Sequence, residues 1–171
     1  MDNQQFAPVT MCLTKATLAT GTTSTLSTTG TTTFAIRSKF YTKTALTNVA
    51  TPTTDWATGV AFLPILASQG SVFLVGFDHS GNLKVIQGTV VPLDGIVSSN
   101  LFAPNGPQFG GTAPAGSVSS TTGDFCPIGY IVIANGTTGA SWTFGTGTWA
   151  ATGITATVVD VCGWPDRPQV A

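Results

Sequence analysis

Charge is what this chain has least of. Asp, Glu, Lys and Arg together make up 8% of it, Glu is absent, and His occurs once. An ordinary soluble domain carries about a quarter charged residues, so hydroxyls, backbone and small apolar groups must cover this one. Hydrolases and transferases draw on a general acid or base, an activated nucleophile or a metal, and one His with seven Asp is a thin inventory. A net charge of -1 removes the basic footprint that phosphate neutralisation requires, so nucleic acid is not an expected partner.

Long apolar runs are missing too. The most apolar stretch, Val60 to Phe77, is interrupted by Pro64, Ser68, Gln69, Gly70 and Ser71, well short of the roughly 18 continuous residues of a membrane span. Buried strands, and no membrane partner, are expected instead. The opening Met1-Asp2-Asn3-Gln4-Gln5 has neither the basic nor the apolar region of a secretion signal, which predicts synthesis in a cytoplasm. The cysteines are Cys12, Cys126 and Cys162, odd in number and without a CxxC pair, so neither a disulfide framework nor a zinc knuckle is signalled. With His79 they have the residue types of a Cys3His zinc set; the simpler expectation is three ordinary thiols, and no metal or cofactor is expected.

What is present is Thr, at about one position in six. A β-branched Thr suits a pleated, half-wetted surface, whereas the strong helix formers are scarce, so the chain reads as all-β. Its 171 residues suit one domain. Thr10 to Thr33 is Thr, Ser, Gly and Ala with isolated Leu13, Leu18 and Leu26. That composition is too poor in large apolar groups to hold a core alone. It predicts a 1–33 arm, extended or in edge strands that order on a neighbour, with the remainder folding without it.

Beyond the arm, TTTFAIRSKFYTKTAL reads as a hairpin turning at Arg37-Ser38-Lys39. A second hairpin pairs about Val72 to Phe77 with Leu83 to Val91 around Asp78-His79-Ser80-Gly81-Asn82, where Asp and Ser start a turn and Gly and Asn accept positive φ. Pro92 to Gly129 reads as a long Gly/Pro/Ser-rich loop, of a length usually functional or held by a partner. GYIVIANGTTGASWTFGTG predicts a third hairpin around Asn135-Gly136, and ATVVDVC a last strand. The expectation is a β-sandwich or jelly roll spanning 34–163, between the 1–33 arm and an extended 164–171 tail.

Candidate chemistry is sparse. Asp78-His79-Ser80 holds the residue types of a catalytic triad but lies within one predicted turn, whereas triads converge from separate segments. Asp94, Asp124, Asp160 and Asp166 are available as a glycosidase pair and show no motif. Asn135-Gly136-Thr137 matches a glycosylation sequon and reads as hairpin chemistry. Trp56, Trp142, Trp149 and Trp164 could stack on sugars if they lined one face; core or subunit contacts are the blander reading. Arg37, Lys39 and Lys43 form a basic stripe that is either a docking surface or a solvated edge resisting strand addition.

Several segments, TTTFAIRSKFYTKTALTNVATPTTD, FDHSGNLKVIQGTVVPLD, CPIGYIVIANGTTGASWTFGTG and the closing PDRPQ, together resemble small virion proteins of tailed bacteriophages, of the head decoration or cement type. The resemblance spans about Thr31 to Gln169. It implies a non-enzymatic β-rich subunit, a homotrimer on the exterior of the capsid, made in the host cytoplasm. Its partner would be the major capsid protein, whose neighbouring subunits it bridges. Arg37, Lys39, Lys43, Phe109 and Trp164 are the expected contact residues. The alternative is a tail or head-fibre subunit recognising a host-surface glycan, and a free carbohydrate-binding module or glycan hydrolase lies further off.

Overall fold

The computed structural model describes residues 10–93 and 125–162. Among the described residues there is no helix. The strands are β1 (Met11–Cys12), β2 (Ala19–Thr20), β3 (Thr25–Ser27), β4 (Thr32–Ile36), β5 (Lys39–Lys43), β6 (Val49–Ala50), β7 (Gln69–Asp78), β8 (Leu83–Gln87), β9 (Val91–Pro92), β10 (Phe125–Asn135) and β11 (Ile154–Asp160). The all-β expectation stands. They form three sheets: β1-β4-β5, β2-β3-β6, and a main sheet β11-β10-β7-β8 in which β9 also pairs with β7.

The main sheet is organised around β7, which is buried from Gly70 to Asp78. Such a strand needs apolar groups on both faces, and its sequence supplies Phe73, Val75 and Phe77 on one and Val72 and Leu74 on the other. Gly76 has no room for a side chain: a Cβ there would strike the Phe125 ring and the Cys126 carbonyl. β10 lies between β7 and β11 and yet contains Pro127, which has no N–H to give a ladder. The strand accommodates it with a bulge between Pro127 and Gly129.

A continuous core joins the sheets. Phe34 and Ile36 of β4 are buried with Phe73, Val75, Phe77, Ile131 and Ile133 of the main sheet, and the Phe34 and Phe77 rings lie 5.7 Å apart. Further along, the 136–153 connection folds back over this face. Phe144 stacks on Phe73 at 4.5 Å, meets Phe62 edge-on at 5.1 Å, and is flanked by Trp142 and Trp149.

Two expectations change here. Residues 10–33 do not stand apart as an arm: Cys12, Ala16, Leu18 and Leu26 are all buried in the core. Most of the segment's large apolar groups point inward, Leu13 being the exposed exception, and hydrogen bonds to its own chain hold the rest. Leu18 N–H donates to Asp160 Oδ1 at 2.8 Å, and Trp149 donates its backbone N–H to Thr23 O at 2.9 Å and its indole N–H to Thr25 O at 2.8 Å. Nor is Asn135-Gly136 the turn of a tight hairpin. Asn135 ends β10 opposite Ile154, so β11 pairs with β10 only after the 136–153 connection.

The other two hairpins stand, β4 with β5 and β7 with β8, although the second returns only through Gln87, and Val91 pairs with Gly70 in the separate β9. Of the expected Pro92 to Gly129 loop, Pro92 belongs to β9 and Phe125 to Gly129 belong to β10, and residues 94–124 lie outside the described residues. The 164–171 tail lies outside the described residues.

Candidate interaction surface

The β4–β5 hairpin turns through Arg37 and Ser38, whose φ angles are 49° and 64°. A two-residue turn with both central residues left-handed matches the twist of the flanking strands, but Asn and Gly normally occupy it. The strain is held by pairing on both sides: Ile36 faces Lys39 in the ladder, and Arg37 N–H donates to Thr10 Oγ1 at 3.1 Å. The turn is thus tied down on both sides.

β5 is an edge of its sheet, and its side chains alternate between the two faces. Lys39, Tyr41 and Lys43 share the face of their partners Ile36, Phe34 and Thr32. Tyr41 stacks on Phe34 at 5.7 Å, and Lys39 Nζ lies 5.6 Å from the Tyr41 ring centroid. Lys43 runs along the β7–β8 turn, where a Cβ on Gly81 would meet its Cδ at 3.0 Å. The structure therefore brings Arg37, Lys39 and Lys43 to one hairpin. Phe109 and Trp164 lie outside the described residues.

On the opposite face of β5 stands Phe40, 69% exposed and the most exposed large apolar side chain among the described residues. The sequence pattern contained this signal: in Lys39-Phe40-Tyr41 adjacent aromatics in a strand must face opposite ways, so one of them leaves the core. Val60, Leu63 and Leu66 are also exposed, on the segment whose intervening Phe62 and Ile65 are buried.

The candidate chemistry resolves into structure. Asp78 is the Asx cap of its turn: Oδ1 accepts from Ser80 N–H at 2.9 Å and Asn82 N–H at 2.8 Å, and Oδ2 accepts from Asn82 Nδ2 at 3.0 Å. Burial pushes its carboxyl up, but the donors of Asn82 and Ser80, with Lys84 3.7 Å away, outweigh it and hold Asp78 below the usual carboxylate range. His79 and Ser80 are exposed on the same turn. Asp160 is engaged by Leu18 N–H and by Lys15 at 3.9 Å. Asp94, Asp124 and Asp166 lie outside the described residues.

The sequon asparagine is buried, its Nδ2 donating to Ile65 O at 3.0 Å and Ala140 O at 2.8 Å. Trp142 is 3% exposed, and its indole N–H is given to Thr148 O. Trp149 is half-buried, and the Trp56 ring is covered by Lys84 Nζ at 4.1 Å from its centroid. Trp142 and Trp149 thus pack against each other and Phe144, and Trp164 lies outside the described residues. Cys12 and Cys126 are buried and Cys162 half-buried. Desolvation pushes the Cys12 thiol up to about 11 and the Cys126 thiol up to about 12. Among the described residues no three His, Cys, Asp or Glu are grouped to hold a metal, and no helix is long and apolar enough to cross a membrane.

Sequence reasoning missed Asp55. It is buried; Oδ1 accepts from Ala57 N–H at 2.6 Å and Thr58 N–H at 3.2 Å, and Oδ2 accepts from Gln87 N–H at 3.0 Å. Its partners Ala57 and Thr58 are local, but Gln87 is 32 residues away, beyond any motif. No known protein family, curated protein or solved structure matches this chain.

Proposed function

We propose that this chain is a non-enzymatic structural protein of a tailed-phage virion, which binds the outside of the capsid and stabilises it by bridging neighbouring capsid subunits. In this reading it is a β-sandwich, jelly-roll-like subunit acting as a homotrimer. The observation that carries the reading is Phe40, 69% exposed on the edge strand β5, on the face opposite Lys39 and Lys43. A large exposed ring on an edge strand has the character of an interface anchor. The mechanism is mechanical: binding only to the assembled shell adds free energy to the assembled state, and many copies make modest single-site energies sufficient.

The glycan-recognising alternative loses its main support, because Trp142 and Trp149 spend their faces and indole N–H groups inside the chain. The test is add-back of purified protein to capsids lacking it. Saturation at hundreds of copies per particle is expected, and Phe40→Ala should weaken binding by about thirtyfold, roughly 2 kcal/mol, without moving the unfolding midpoint. Binding at only a handful of copies per particle, or none, would overturn the proposal.

A further inference from the structure

Among the described residues, the outer edge of β11 is an open pairing surface. In an antiparallel ladder each residue sends its N–H and C=O to the same side, and alternate residues face alternate sides. Gly136 N–H donates to Gly153 O at 2.8 Å and Val161 N–H to Ile128 O at 2.9 Å, so Gly153 and Val161 point toward β10. Thr155, Thr157 and Val159 follow the same phase. Ala156 and Val158 therefore present both backbone groups outward, and these have no partner among the described residues.

Edge strands in monomeric proteins are normally guarded by Lys, Pro, a bulge or a covering loop. β11 reads Ile-Thr-Ala-Thr-Val-Val-Asp, with no Lys and no Pro, and is paired without a bulge along its length. Its one charge is directed elsewhere: Asp160 accepts from Leu18 N–H and lies beside Lys15 of its own chain. Both other long edges are guarded, β5 by Lys39 and Lys43 and β8 by a loop.

We infer that this edge pairs with β11 of a second copy, antiparallel about a twofold axis at Thr157. The strand is self-complementary in that register. Ala156 faces Val158 of the other copy as a hydrogen-bonded pair exchanging both bonds, Thr155 faces Val159, and Thr157 faces itself. Asp160 falls opposite Ile154, which keeps the two carboxylates at opposite ends. Apart from the terminal Asp160, uncharged residues match uncharged residues, and the two main sheets become one. A short strand pair buries less than a standard interface, so the dissociation constant is expected on the order of 10 μM. The inference is independent of the virion reading.

Sedimentation equilibrium of the intact chain across that concentration range tests it. Thr157 is exposed, so Thr157→Lys leaves the fold in place while setting two like charges face to face, and should weaken self-association at least tenfold. In a Cys162→Ser background, Thr157→Cys should give a cross-linked dimer on mild oxidation with diamide, because a non-hydrogen-bonded pair sits about 4.5 Å apart at Cα. A chain that stays monomeric throughout overturns the pairing. So does a trimer whose mass and affinity are unchanged by Thr157→Lys and which gives no Thr157→Cys cross-link, although that outcome leaves the virion reading intact.

Discussion

The main sheet has two edges treated in opposite ways. At β8 the chain closes its own edge: Trp56 N–H donates to Val85 O at 2.8 Å, and Asp55 Oδ2 takes the Gln87 N–H. The Gln87 side chain then binds both backbone groups of Leu63, at 2.7 Å and 3.0 Å. At β11 nothing comparable is built from the described residues. A buried carboxylate and an ordered loop hold the first edge at an entropic cost, whereas the second keeps its ladder groups available. Closure of an edge is thus a local structural choice, made here once and omitted once.

The sharpest way to break this contrast is to open the closed edge. Asp55→Ala removes the acceptor for Ala57, Thr58 and Gln87 N–H, and should cost about 3 kcal/mol in urea unfolding. The freed β8 edge should also increase aggregation near the midpoint. If stability is unchanged, the carboxylate is not what fastens the loop.

A smaller effect is expected at the β7–β8 turn. The Asp78 carboxyl is held below its ordinary value, so the folded state favours the ionised form. Its contribution is complete above the unfolded value, roughly pH 4, and is lost as pH falls through the folded value. Asp78→Asn should therefore lower stability by about 1–2 kcal/mol at pH 7 and progressively less below pH 4. A loss that stays constant across that range would locate the effect in something other than the charge.

The smallest stability effect belongs to the third edge. Replacing Lys39 and Lys43 together by Thr should change unfolding free energy by less than about 0.5 kcal/mol. It should nevertheless promote self-association through β5, measurable by light scattering, because the guarding charges are gone. No change in scattering would mean that those lysines do not guard the edge.

The sequence made the local features legible. The Asp78–Asn82 turn is complete within five consecutive residues, and Gly81 takes its expected positive φ of 74°. The Arg37-Ser38 turn was readable from the apolar alternation on either side, although its left-handed backbone was not. What escaped was built from distant parts. Asn135-Gly136 has the chemistry of a tight turn, but its amide is used by Ile65 and Ala140, and β11 arrives later to take the pairing. Residues 10–33 are poor in apolar groups, but density carries no direction: Leu18 and Leu26 are few and both point into the core. The basic stripe is legible as a run of charges, whereas the exposure of Phe40 follows only once Lys39-Phe40-Tyr41 is placed on an edge strand.

Asn135 has one more consequence, in the chemical ageing of the protein. Asn-Gly is the dipeptide most prone to deamidation, since the glycine nitrogen can attack the side-chain amide carbon and form a succinimide. Here that nitrogen is committed to Gly153 O at 2.8 Å, and the amide is fixed by Ile65 and Ala140. The folded chain withholds the reaction, and every excursion that parts the Gly136–Gly153 end of the sheet permits it. A stored sample thus keeps a clock, its slow gain of negative charge counting the time this corner of the fold has spent open.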